Sequence, residues 1–146
     1  MMIRLWLTIS LLFSIATAGN IEVKNAYVRA VPPMMHTSAA YMNIVNRGDK
    51  DKTLVSINSS VAKMVQLHKT VMGKKMMKMI PIKMLVIPTK GHVELKPGGY
   101  HIMLMGLKKV LRQKDKVDSI TLHFSDNTSI TVKDVPIKSI MSKMKM

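Results

Sequence analysis

The sequence predicts an all-β protein, a single-domain sandwich or barrel. Three observations predict it. Short runs rich in β-branched and apolar residues recur along the chain, turn residues punctuate them at close intervals, and no long stretch shows helical periodicity. A length of 146 residues suits one domain with a real core.

The strands are expected in order. Ile21 to Ala30 reads as the first, ended by Val31-Pro32-Pro33, since proline donates no ladder hydrogen bond. Ser38 to Val45 is the second, followed by the turn signal Asn46-Arg47-Gly48-Asp49, and Thr53 to Ile57 is the third. Val65 to Val71 alternates, with Val65, Leu67 and Lys69 on one side and Gln66, His68 and Thr70 on the other. Gly73-Lys74-Lys75 turns the chain into Met76 to Ile82. Leu85 to Ile87 and Val93 to Leu95 are short strands around a turn at Pro88 to Gly91. Lys96-Pro97-Gly98-Gly99 is a firm turn that feeds Tyr100 to Leu107. Val117 to Phe124 and Ile130 to Val135 form a final pair joined near Asp126-Asn127.

The first 18 residues read as a signal peptide. Met1 to Arg4 is a short charged region, Leu5 to Ile15 is apolar, and Ala16-Thr17-Ala18 is an A-x-A cleavage site. The apolar run is shorter than the roughly 20 residues a membrane helix needs, and Thr8, Ser10 and Ser14 interrupt it. The expected organisation is a leader at 1–18, a binding domain at 19–136 and a basic, Met-containing tail at 137–146. The tail is read as disordered or weakly helical.

Composition excludes several functions. With no cysteine there is no thiolate for a blue-copper centre, no thiol redox chemistry, and no residue for a lipoprotein anchor. The expectation is an exported, periplasmic protein with no stable membrane anchor, and a monomer. A formal charge of +15, from 23 Lys plus Arg against 8 Asp plus Glu, suits nucleic acid, anionic lipid or acidic partners. The lysines are scattered and the aromatics few, so stacking platforms for single strands are scarce and no nucleic-acid partner is expected. No nucleophile elbow, phosphate-cradling loop or paired carboxylates stand out, so the chain is not expected to be an enzyme.

Methionine is the outlier, at sixteen residues. Core filling is its commonest use, so position must decide. On the strand from Tyr100, period two places Tyr100, Ile102 and Leu104 on one face and His101, Met103 and Met105 on the other. An imidazole and a thioether at i and i+2 can converge on one ion. His68 is followed across the Gly73 turn by Met72, Met76, Met77 and Met79, and a hairpin-like reversal can bring His68 and Met79 together. Two His and two Met, without carboxylate or thiolate, fit Cu(I) best, because thioether sulfur is soft and prefers it to zinc, calcium or magnesium. His36, in a loop after Met34-Met35, is a weaker second-site candidate. His92 falls in a turn, and His123 is expected to point outward.

These residues resemble the PCuAC family of periplasmic copper chaperones. Its motif is His, ten residues, Met, twenty-one residues, His-x-Met, and His68, Met79, His101 and Met103 meet every spacing. Leu95 to Leu107 (LKPGGYHIMLMGL), Asn25 to Pro33 and Ser38 to Asn46 also resemble the family, with coverage from about Ile21 to Pro136. One departure is Met77-Lys78-Met79-Ile80-Pro81, where the family leads us to expect an arginine after the ligand Met. The resemblance implies a cupredoxin-like (immunoglobulin-like) β-sandwich and Cu(I) held by His68, Met79, His101 and Met103. It also implies delivery to the dinuclear copper centre of an apo cytochrome c oxidase subunit, or to another periplasmic copper protein. Copper storage or resistance is the alternative within the class, and a basic module for anionic surfaces the alternative outside it. Met141, Met144 and Met146 are candidates for an accessory site, as tails are in some relatives.

Overall fold

The computed structural model describes residues 16–18, 20–73 and 76–139. The described residues include eleven strands: β1 (Ala16–Ala18), β2 (Ile21–Arg29), β3 (Thr37–Asn46), β4 (Lys52–Ser59), β5 (Ala62–Met72), β6 (Met77–Pro81), β7 (Leu85–Ile87), β8 (His92–Leu95), β9 (Tyr100–Leu107), β10 (Lys116–Phe124) and β11 (Ser129–Lys138). They pair in the order β6-β5-β9-β3-β2-β11-β10-β4-β7, with β1 added on β2 and β8 on β3. Every pair is antiparallel except β11 with β2, which runs parallel at Ile137↔Val28 and Lys138↔Arg29. The all-β expectation holds, and each expected strand is present within a few residues of its expected bounds.

One core lies between the two halves of this folded sheet. Val28, Ala40, Met42, Ile44, Leu67, Ile102 and Leu104 come from one half and Leu54, Ile57, Ile87, Val117, Ile120 and Leu122 from the other. Alternation decides which side chains enter it: on β9, Ile102 and Leu104 are core, so His101, Met103 and Met105 face outward. Asn46 ties the loops at one end. Its side-chain amide donates to the carbonyls of Lys50 (2.8 Å) and Ile87 (3.0 Å), and its Oδ1 accepts from the Gly48 N–H.

Two features differ from the simple reading. β2 carries a bulge at Asn25, which has φ 55°, and the β2–β3 register shifts between Lys24 and Tyr27. Ile21 and Val23 face the core, yet beyond the bulge it is Val28 that does so, and Tyr27 is turned onto the outer face. The last strand also runs past Pro136. Ile137 is buried in the core and Lys138 still pairs, so the two residues assigned to the tail belong to the sheet. Apolar burial of Ile137 and its pairing with Val28 hold them there. Met141, Met144 and Met146 lie outside the described residues. β1 comes from the end of the segment read as a leader, and β2 has β3 and β11 as partners besides it.

Candidate metal centre

The site is built on the outer face of β6, β5 and β9. Register fixes it: His68 lies directly opposite His101, Gln66 opposite Met103, and Thr70 opposite Met79. Directly opposed residues in a sheet share a face, so the outer face carries His68, His101, Met103 and Met79 together. The hairpin reversal after His68 is therefore real. Its register sets Pro81, rather than Met79, directly across from His68, and Met79 sits one diagonal step away.

The two imidazoles are stacked, with ring centroids 5.9 Å apart and planes 22° from parallel. His101 is only 3% exposed, although it lies on the outer face. Its Nδ1 is 3.1 Å from the Gly99 carbonyl oxygen. A carbonyl only accepts, so Nδ1 carries the hydrogen and Nε2 presents its lone pair. That Nε2 is buried and has no hydrogen-bond partner. A buried unpartnered acceptor costs stability. Asn43 Oδ1 is another such atom among the described residues, and the His101 Nε2 is the one that belongs to a ring stacked on a second imidazole. His68 repeats the arrangement with a longer contact, Nδ1 to the Gln66 carbonyl at 3.4 Å. Burial, the largest cause, holds the His101 pKa below its usual value. The neighbouring His68 adds to this, and the Gly99 hydrogen bond opposes it. The ring is thus kept neutral, the form that binds a metal.

The turn before β9 sets this geometry. Gly99 N–H donates to the Lys96 carbonyl at 3.0 Å, closing a turn over Pro97 and Gly98. Gly98 has φ 84°, a value that glycine alone adopts freely at the third position of such a turn. The turn aims the Gly99 carbonyl at the strand pair, where it accepts from Thr70 N–H (3.2 Å) as well as from His101.

The two methionines are held differently. Met103 is half-buried against Tyr27, Ala39 and Tyr41, whose tyrosine rings lie 5.1 Å apart. Met79 is 59% exposed on β6, the outermost strand of this half. Among the described residues no three His, Cys, Asp or Glu side chains group together as a metal site. The donor set here is therefore imidazole and thioether, which suits a soft monovalent ion.

Other candidates fall elsewhere. His36 is exposed in the loop before β3, and His92 is exposed on β8. His123 on β10 sits between the core residues Leu122 and Phe124 and meets the Asn58 side chain at 3.0 Å. Sequence reasoning missed the tyrosine support for Met103, which depends on the bulge at Asn25 turning Tyr27 onto the outer face. It also missed the Gly99 carbonyl, foreshadowed only by the glycine pair beside His101.

The sequence and the fold both have counterparts among known proteins. The family model described as putative lipoprotein LpqE-like matches residues 21–137. The putative lipoprotein Lxx21020 of Leifsonia xyli subsp. xyli (strain CTCB07) is 38% identical over 122 residues, covering 83% of this chain and 71% of that protein. The uncharacterized protein RP573 of Rickettsia prowazekii (strain Madrid E) is 34% identical over 92 residues, 62% of this chain and 50% of that one. The copper-bound PCuAC domain from PmoF2 has a similar fold, with a TM-score of 0.71 at 22% identity over 85% of this chain and 97% of that one. The solution structure of CuI-DR1885 from Deinococcus radiodurans gives a TM-score of 0.61 at 34% identity, over 82% and 78% of the two chains.

Proposed function

The chain belongs to the LpqE-like family, which is the PCuAC family, and from that premise we propose that it is a periplasmic Cu(I) chaperone. The observation that carries the reading is the buried, unpartnered Nε2 of His101, stacked beside His68 on the face that also bears Met103 and Met79. His68 and His101 would supply nitrogen, and Met79 and Met103 sulfur, to one ion. All four ligands are neutral, so the complex keeps the single positive charge of Cu(I). Oxidation would favour harder donors and loosen the site. The copper is cargo, and the protein's work is to bind it, keep it reduced and give it up.

Residues 1–18 act in this reading as the export signal. The receiving protein is the apo copper-site subunit of cytochrome c oxidase, whose dinuclear centre takes the ion by ligand exchange. Support for Cu(I) as the ion comes from the four-ligand spacing and from the Cu(I)-loaded relative at 34% identity, and the destination follows from the resemblance to the copper-chaperone family.

Anaerobic titration with Cu(I) against a competing chelator tests the site. One tight equivalent is expected. Replacing His101 and Met103 together by Ala should weaken it by roughly two orders of magnitude or more. Unchanged affinity would remove the assignment. Transfer to an apo cytochrome oxidase copper domain, followed by the absorption of the assembled centre, tests the destination. Failure to transfer while tight binding persists would favour storage.

A further inference from the structure

A second group of thioethers lies beyond the four ligands, at the tip of the β5–β6 hairpin. Register places Met72 directly opposite Met77, and both share the face of His68, Thr70 and Met79. Met76 follows at the turn, where its carbonyl accepts from Gly73 N–H at 2.9 Å. Met72 is 81% exposed, Met76 71% and Met77 59%. Core filling, the usual reason for methionine, does not account for side chains left in water. Directly opposed side chains in an antiparallel pair have Cβ atoms about 5 Å apart, and diagonal neighbours about 7–8 Å, within reach of long flexible side chains. Met72 and Met77 can therefore meet on one ion, with Met76 closing from the turn and Met79 next along the same face.

We propose that Met72, Met76 and Met77 form a second, thioether-only Cu(I) site, a loading site that adjoins the four-ligand site through Met79. The chemistry selects the ion. Sulfur without nitrogen or oxygen donors prefers Cu(I), and a segment that carries five lysines from Lys69 to Lys83 inclusive disfavours any more highly charged cation. Without imidazole donors the site holds the ion less tightly than the four-ligand site, so that it holds the ion briefly and releases it inward. Passage to Met79 exchanges one thioether for another, with copper remaining Cu(I) and no proton moved. The site itself stands on the hairpin's register. Its role as a loading site rests on the four-ligand reading above.

The test uses the full mature chain with 13C-methyl methionine, titrated anaerobically with a Cu(I)–acetonitrile complex. The first equivalent should shift the Met79 and Met103 methyl signals. A second equivalent, weaker by roughly tenfold or more since it lacks imidazole, should shift those of Met72, Met76 and Met77. Met72→Leu with Met77→Leu should abolish the second equivalent and leave the first intact. His68→Ala with His101→Ala should do the reverse, so loss of one site is told apart from loss of the other. The proposal fails if the hairpin methyls stay fixed beyond two equivalents. It also fails if they move only together with the exposed Met34 and Met84, which would mean nonspecific capture.

Discussion

Replacing His101 by leucine should stabilise the apo-protein while abolishing its response to copper. The buried Nε2 has no partner, and an unsatisfied buried polar atom costs about 1–3 kcal/mol. Leucine removes that penalty and is similar in volume. It also removes the Nδ1 hydrogen bond to Gly99, worth about 1 kcal/mol net. The Gly99 carbonyl keeps the Thr70 N–H at 3.2 Å, so no new orphan is created. The balance is a gain of about 1 kcal/mol, or roughly 4 °C in Tm for a domain of this size. Saturating Cu(I) should invert the order, because free ion at a hundred times Kd stabilises the wild type by about 2.7 kcal/mol. Urea denaturation under anaerobic conditions, with and without buffered Cu(I), reads both effects. An apo variant less stable than wild type by 1 kcal/mol or more would refute the reasoning, because it would mean that the imidazole is a structural rather than a poised group. Equal stabilisation of both proteins by copper would refute it as well.

Three further outcomes are expected. Met79→Leu should lower Cu(I) affinity by roughly tenfold or more while changing stability by less than about 0.5 kcal/mol, since the residue is largely exposed; chelator competition and thermal melting separate the two. Apo stability should be level above the ordinary histidine value of 6.5 and fall as pH drops below it. There the unfolded chain takes up a proton that burial keeps from His101, and stability decreases wherever the unfolded state binds more protons. Urea midpoints at several pH values should show a slope that His101→Leu reduces, and an unchanged slope would count against a buried neutral ring. Ile137→Ala should cost about 2–5 kcal/mol, because Ile137 is fully enclosed in the core; a loss below 1 kcal/mol would mean that the sheet ends at Pro136.

Much of the fold was legible because alternation and turn chemistry are local. The faces of β5 and β9 could be assigned from Leu67, Ile102 and Leu104 alone, and with them the outward direction of His68, His101 and Met103. The meeting of His68 with His101 was not legible in this way. It depends on β5 pairing with β9 across the intervening residues 73–99, and only the spacing of the four candidate ligands hinted at it. The bulge at Asn25 was invisible for a similar reason. A single residue in the left-handed region reverses which side Tyr27 occupies, and regular alternation carries no warning of it. Pro136 misled in the opposite direction. It reads as a terminator, yet the burial of Ile137 and its parallel pairing to Val28 outweigh the missing donor.

The unequal support of the two methionines bears on how the ion would leave. Met103 rests on a tyrosine pair in the middle of the sheet, whereas Met79 rides on a five-residue strand held on one side only. Short outer strands fray at low cost, so in the proposed site the four ligand positions would be kinetically unlike. Detachment of the β6 arm would leave a three-coordinate ion with its vacant position facing outward. An incoming ligand from an acceptor could enter there before the imidazoles let go. Affinity would then reside in β5 and β9, and exchange rate in β6, so that either could change by substitution without the other.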